Sequence, residues 1–68
     1  MTTYKCIKSF TAPVTYPEDG IEITVPEGHI LNSSDINCEI LGNKVHLRIG
    51  KNFIIILKKD FAGLFDII

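Results

Sequence analysis

The stretch from Ile36 to Leu57 constrains this chain more than any other. It holds three runs of alternating apolar residues: Ile36, Cys38 and Ile40; Val45, Leu47 and Ile49; Phe53, Ile55 and Leu57. Alternation of period two places each set on one face of a strand. Gly42-Asn43 reads as a two-residue hairpin loop, with glycine supplying a positive φ at its first central position. Ile40 then faces Val45, Cys38 faces Leu47 and Ile36 faces Ile49, while Glu39 faces His46 and Asn37 faces Arg48 on the opposite side. Gly50-Lys51-Asn52 reads as a three-residue loop with Asn52 left-handed. Ile49 then faces Phe53, Leu47 faces Ile55 and Val45 faces Leu57. Both loops agree on one core face, so the segment is expected to form a three-stranded meander. A one-residue slip at either loop would invert every side chain beyond it.

The remainder supplies two more strands and a tail. Tyr4 to Phe10 reads as the first strand, followed by a loop holding Pro13, Pro17 and the turn signal Glu18-Asp19-Gly20. Ile21, Ile23 and Val25 alternate with Glu22 and Thr24 in the second strand. Pro26-Glu27-Gly28 turns the chain, Ile30 and Leu31 return to the core, and Asn32-Ser33-Ser34-Asp35 reads as a polar loop. At the end, Phe61, Leu64, Phe65 and Ile68 follow helical spacing behind Asp60 as N-cap. Gly63 weakens that helix by about 1 kcal/mol relative to Ala, so one or two turns are expected.

A chain of 68 residues has room for one domain, spanning 1–68, and buries only about 60% of its unfolded surface. Two cysteines are too few for a disulfide scaffold. Cys6 and Cys38 lie in apolar stretches and read as reduced, buried thiols, with a single bridge between them as the alternative. No signal peptide is visible, and the apolar run Phe53 to Leu57 is far short of the ~20 residues of a spanning helix. A cytoplasmic protein with no membrane partner is expected. Net charge is −1, but the charges are segregated: Ser9 to Asn43 holds acids and no Lys or Arg, and Ile40 to Lys59 holds Lys44, Arg48, Lys51, Lys58 and Lys59 and no acid.

Tyr4 to Phe10, the turn segment Val25-Pro26-Glu27-Gly28-His29-Ile30-Leu31 and the run Phe53 to Lys58 with its aromatic tail resemble small SH3-like barrel proteins of the phage and prophage type. The chain departs where many such barrels carry Gly-Asp and this one carries Gly28-His29. The resemblance implies an all-β fold, a five-stranded SH3-like barrel with a short C-terminal helical turn, and a phage accessory protein working in the host cytoplasm. It transfers no site residues, because one fold hosts many functions.

The chemistry-bearing residues do not assemble in sequence. Cys38 faces inward and His46 outward in the register above, and His29 sits in a turn. There is no triad spacing and no glycine-rich phosphate loop. Cys6, His29, Cys38 and His46 match no zinc spacing. Neither catalysis, a cofactor, a metal nor a small-molecule substrate is expected. Glu39 and His46 read as a cross-strand pair on an exposed face. Two binding readings remain. If Phe53, Ile55 and Leu57 face the core, Ile54 and Ile56 face out, and with Phe61 and Phe65 they would form a protein-binding or self-binding surface unless the terminal helix covers them. Alternatively, Lys44, Arg48, Lys51, Lys58 and Lys59 would form a basic stripe for nucleic acid, although aromatic residues do not interleave with it in this register. A protein-interaction module is the expected function, with nucleic-acid binding and a structural homo-oligomer as alternatives.

Overall fold

The computed structural model describes residues 2–68. It is predominantly β, with eight short strands in two sheets, one α-helix and one 3-10 turn. Strands β1 (Thr3–Cys6), β4 (Ile30–Asn32) and β8 (Phe65–Ile67) form the smaller sheet in the order β4-β1-β8. Strands β2 (Phe10–Tyr16), β3 (Glu22–Val25), β5 (Ile36–Cys38), β6 (Lys44–Ile49) and β7 (Asn52–Leu57) form the larger one in the order β3-β2-β7-β6-β5. Among the described residues neither sheet closes on itself.

The two sheets share one bent ribbon. Lys5 lies opposite Ile30 and Phe10 lies opposite Val25, so both strands advance equally through the bend. The bend itself is stapled by backbone bonds, Cys6 N–H to the His29 carbonyl at 2.8 Å and Gly28 N–H to the Cys6 carbonyl at 2.7 Å. Gly28 adopts φ +94° there, a conformation that costs a residue without Cβ nothing. The Pro26-Glu27-Gly28 signal thus folds a ribbon sharply while keeping its register.

The proline-bearing stretch after Phe10 is a strand, not the expected loop. Val14 donates its N–H to the Ile21 carbonyl at 2.8 Å on the β3 side. Successive backbone nitrogens alternate in direction, so the Pro13 nitrogen faces the β7 side, where pairing begins only at Val14 opposite Ile54. A proline costs no ladder bond at such a place.

The β5–β6 hairpin pairs Ile36 with Leu47, Asn37 with His46 and Cys38 with Val45. That is two residues away from the expected register. A two-residue shift keeps every side chain on its face, so Ile36 still points inward. It lengthens the loop, however, and Gly42 has no positive φ. Cys38, expected to be buried, is exposed near this open end, and Cys6 alone is buried.

The β6–β7 hairpin slips by one residue. Ile49 lies opposite Asn52, leaving Gly50-Lys51 as a two-residue turn, and Leu47 lies opposite Ile54 and Val45 opposite Ile56. The physical reason is which residue takes the left-handed position. Gly50 adopts φ +63°, and no non-glycine residue among those described is in that region. Glycine occupies it without the Cβ cost that Asn52 would bear. Every side chain of β7 is therefore inverted: Ile54 and Ile56 face the core, and Phe53, Ile55 and Leu57 face out.

The buried set forms one cluster: Cys6, Ala12, Val14, Val25, Leu31, Val45, Leu47, Ile54 and Phe65. Helix α1 (Lys58–Leu64) begins earlier than expected, with Leu57 as its N-cap and Asp60 in its first turn. Phe65 leaves the helix and opens β8, opposite Cys6. The helix lays Phe61 and Leu64 on the cluster. Phe61 stacks on Phe65 at 5.0 Å and meets Tyr4 at 5.5 Å, and Phe65 meets the edge of Phe10 at 5.9 Å. These rings fill the wedge between the sheets, with geometries favourable to aromatic pairs.

Candidate functional site

The residues expected to form an apolar binding surface are interior. Ile54 is fully buried, Phe65 is 4% exposed, and Ile56 and Phe61 pack against the core cluster. The inverted β7 register explains Ile54 and Ile56, and the aromatic wedge explains Phe61 and Phe65. None of the four is a free surface.

The basic residues lie along β6 and at its two ends. Lys44 and Arg48 lie on the outer face of β6, Lys51 lies in the turn at one end of that strand, and Lys58 and Lys59 open α1 at the other. Arg48 is engaged: its Nε and an Nη both donate to Oδ1 of Asp35, at 3.0 and 2.6 Å. Oδ2 of Asp35 accepts the Asn32 N–H at 3.1 Å, tying the start of the 3-10 turn Ser33–Asp35. The Arg48 hydrogen bonds, helped by the Asn32 N–H, hold the Asp35 carboxyl below its ordinary range. His46 Nε2 bonds Glu39 at 2.9 Å, but diagonally: Asn37, not Glu39 as expected, lies opposite His46 in the shifted register.

With β7 inverted, the outer face of the larger sheet gains an apolar stripe. Phe53, Ile55 and Leu57 run down its middle strand. Phe53 lies directly opposite Arg48 on β6 and meets Tyr16 of β2 edge-on at 5.6 Å. Thr15 donates its hydroxyl to the Phe53 carbonyl at 3.1 Å and holds the β2 bulge against β7. Tyr16 is 63% exposed and Phe53 36%. On one side of the stripe, Ile55, Leu57, Thr11, Pro13, Thr15, and Lys44 border an open cleft of about 420 Å³. The cleft begins where the β2–β7 pairing fails at Pro13. On the other side, Phe53, Arg48, His46, Asp35 and Asn37 line a smaller hollow of about 260 Å³. Sequence reasoning missed this face because it rests on a single loop length. The signal was present: Gly50 precedes Asn52 and takes a positive φ more cheaply.

Among the described residues, no three His, Cys, Asp or Glu side chains gather as metal ligands would. No helix among them is long and apolar enough to cross a membrane. No protein-family model matches the chain, and neither a curated protein nor a solved structure does.

Proposed function

We propose that this chain is a non-catalytic protein-interaction module whose working surface is the outer face of the larger sheet. The observation that carries the reading is the Tyr16–Phe53 pair, left exposed by the described residues beside Ile55 and Leu57. Exposed aromatic residues beside a paired arginine match the composition of protein-binding hot spots, where aromatic side chains and Arg are enriched. The flanking pairs Arg48–Asp35 and His46–Glu39 provide a polar rim. We read the two sheets as a small SH3-like barrel left open between β4 and β5, in keeping with the resemblance to phage-type barrels. A host protein in the cytoplasm is the corresponding partner.

One observation favours nucleic acid instead. The register brings an aromatic ring, Phe53, directly across from Arg48, the combination that single-strand binders use. The charge balance supports the protein reading instead. Arg48 is paired with Asp35 and His46 with Glu39, so the middle of this face offers phosphate little free positive charge.

The test is affinity capture with the tagged protein, with and without nuclease and at low and high salt. One protein should be retained in every condition, should bind again when purified, and should be lost with Phe53→Ser or Tyr16→Ser. Recovery that vanishes with nuclease would replace this reading with nucleic-acid binding. Self-capture alone would replace it with a homo-oligomer.

A further inference from the structure

The loop joining β5 and β6 ends in two adjacent aliphatic side chains, Ile40 and Leu41, which are 94% and 101% exposed. No other large apolar side chain of the described residues is so bare. They stand on a projecting hairpin rather than in a groove. Three lysines lie at its base. Lys44 opens β6, opposite Leu57, and Lys58 donates its backbone N–H to the Asn43 carbonyl at 2.8 Å, with Lys59 next in the helix. Glu39, the acid within the loop, bonds His46 at 2.9 Å and lies over Gly42. The other acid at this end is Asp60, one residue beyond Lys59.

We propose that this hairpin tip docks on an anionic lipid surface, with Ile40 and Leu41 entering the acyl boundary and Lys44, Lys58 and Lys59 meeting the headgroups. Shape and charge both favour a bilayer. Ile40 and Leu41 are neighbours and both almost fully exposed, so neither is seated in a pocket of the chain. A fluid apolar layer accepts both, whereas a protein partner would need a pocket shaped for each. Lysines flanking an apolar anchor add attraction to an anionic leaflet. The contact needs no spanning segment. It departs from the expectation, drawn from sequence, that the chain has no membrane partner. It uses a different surface from the Tyr16–Phe53 face and does not rest on that function.

The experiment is co-sedimentation of the full chain with phosphatidylglycerol vesicles and with phosphatidylcholine vesicles. The protein should pellet with the anionic vesicles, and much less with the neutral ones. Changing Ile40→Ser and Leu41→Ser together should weaken binding by roughly tenfold or more per residue. Lys58→Gln and Lys59→Gln should each cost about fivefold and reduce the salt dependence. Ile40, Leu41 and Lys59 are exposed and Lys58 is half-buried, so the tip and Lys59 variants should melt like the parent, which separates lost docking from lost folding. Phe53→Ser should leave sedimentation unchanged, which keeps the result independent of the protein-binding face. Failure of the parent chain to pellet with anionic vesicles at low salt would overturn the proposal. So would a tip variant that pellets like the parent, or one that loses a captured protein while keeping lipid binding.

Discussion

Ile54 and Ile55 are adjacent and chemically identical, yet the β6–β7 register assigns them opposite fates. Ile54 lies opposite Leu47 and is fully buried, and Ile55 lies opposite His46 on the outer face. Valine at either position keeps the β-branched shape and removes one methylene. In a core that cannot close around the gap, that removal costs about 0.5–1.5 kcal/mol. For a domain of this size about 1 kcal/mol lowers the melting temperature by roughly 4–8 °C. Ile54→Val should therefore fall in that range. Ile55→Val should cost less than about 0.5 kcal/mol, as substitutions outside a core do. The conservative change matters, because a chain of this length has a total stability on the order of 3–10 kcal/mol. Ile54→Ala, at about 2–5 kcal/mol, would leave too little folded protein to compare. Thermal melts followed by far-UV circular dichroism give the two shifts, and urea titration should show changed midpoints at constant slope. If Ile55→Val costs as much as Ile54→Val or more, Phe53, Ile55 and Leu57 face the core after all. The Gly50-Lys51 turn and the outer-face surface built on it would then both be wrong.

Three further outcomes follow from particular contacts. Gly50→Ala, at φ +63°, should destabilise by about 1 kcal/mol or more in the same melts, because the left-handed region penalises a Cβ. Arg48→Ala should cost up to about 1 kcal/mol at neutral pH, as an exposed ion pair does. The Asp35 carboxyl titrates below its ordinary range in the folded chain because Arg48 hydrogen-bonds it. That stabilisation is complete above the ordinary carboxylate pKa and disappears as pH falls through the lowered folded value, so melts of the two proteins should converge in acid. Cys38 is exposed and Cys6 buried: a maleimide should label one thiol in the native protein and both in denaturant, and rapid native labelling of both would refute the burial of Cys6.

The parts of the fold legible in the sequence were those set by local alternation. Strands at β3, β6 and β7, the inward set Val45 and Leu47 and the bend at Pro26-Glu27-Gly28 all follow from residue types and their spacing. What failed did so where two local rules competed and only tertiary context decides. Asn52 and Gly50 both suit a left-handed turn position, and the choice between them inverted β7. Pro13 reads as a loop residue until a neighbouring strand leaves its nitrogen unneeded. Phe65 keeps helical spacing with Phe61, but an unpaired edge of β1 lay within reach, and pairing with Cys6 made it a strand residue. The candidate surface moved with the register. Its residues changed from Ile54 and Ile56 to Phe53, Ile55 and Leu57, although the reason for seeking an exposed apolar face on that strand was unchanged.

The β5–β6 hairpin poses a different question, because a two-residue slip violates no facing rule. In the register expected from the sequence, Ile40 would lie opposite Val45 on the inner side of the sheet. The chain instead stops pairing at Cys38 and extends Ile40 and Leu41 into solvent. Full burial of either side chain is worth about 1.5–3 kcal/mol, a large share of the stability of so small a domain. The observed register gains contacts at the far end of the hairpin, where Asp35 meets Arg48 and the Asn32 N–H. A surface ion pair contributes only about 0–1 kcal/mol, which does not offset the apolar exposure. The same register packs Ile36 against Leu47 and the core, and it leaves an apolar tip bare in a sequence otherwise consistent with its fold. That reasoning gives the hairpin tip, rather than the buried Ile54 or the ion-paired Arg48, the stronger claim to be a contact point of the chain.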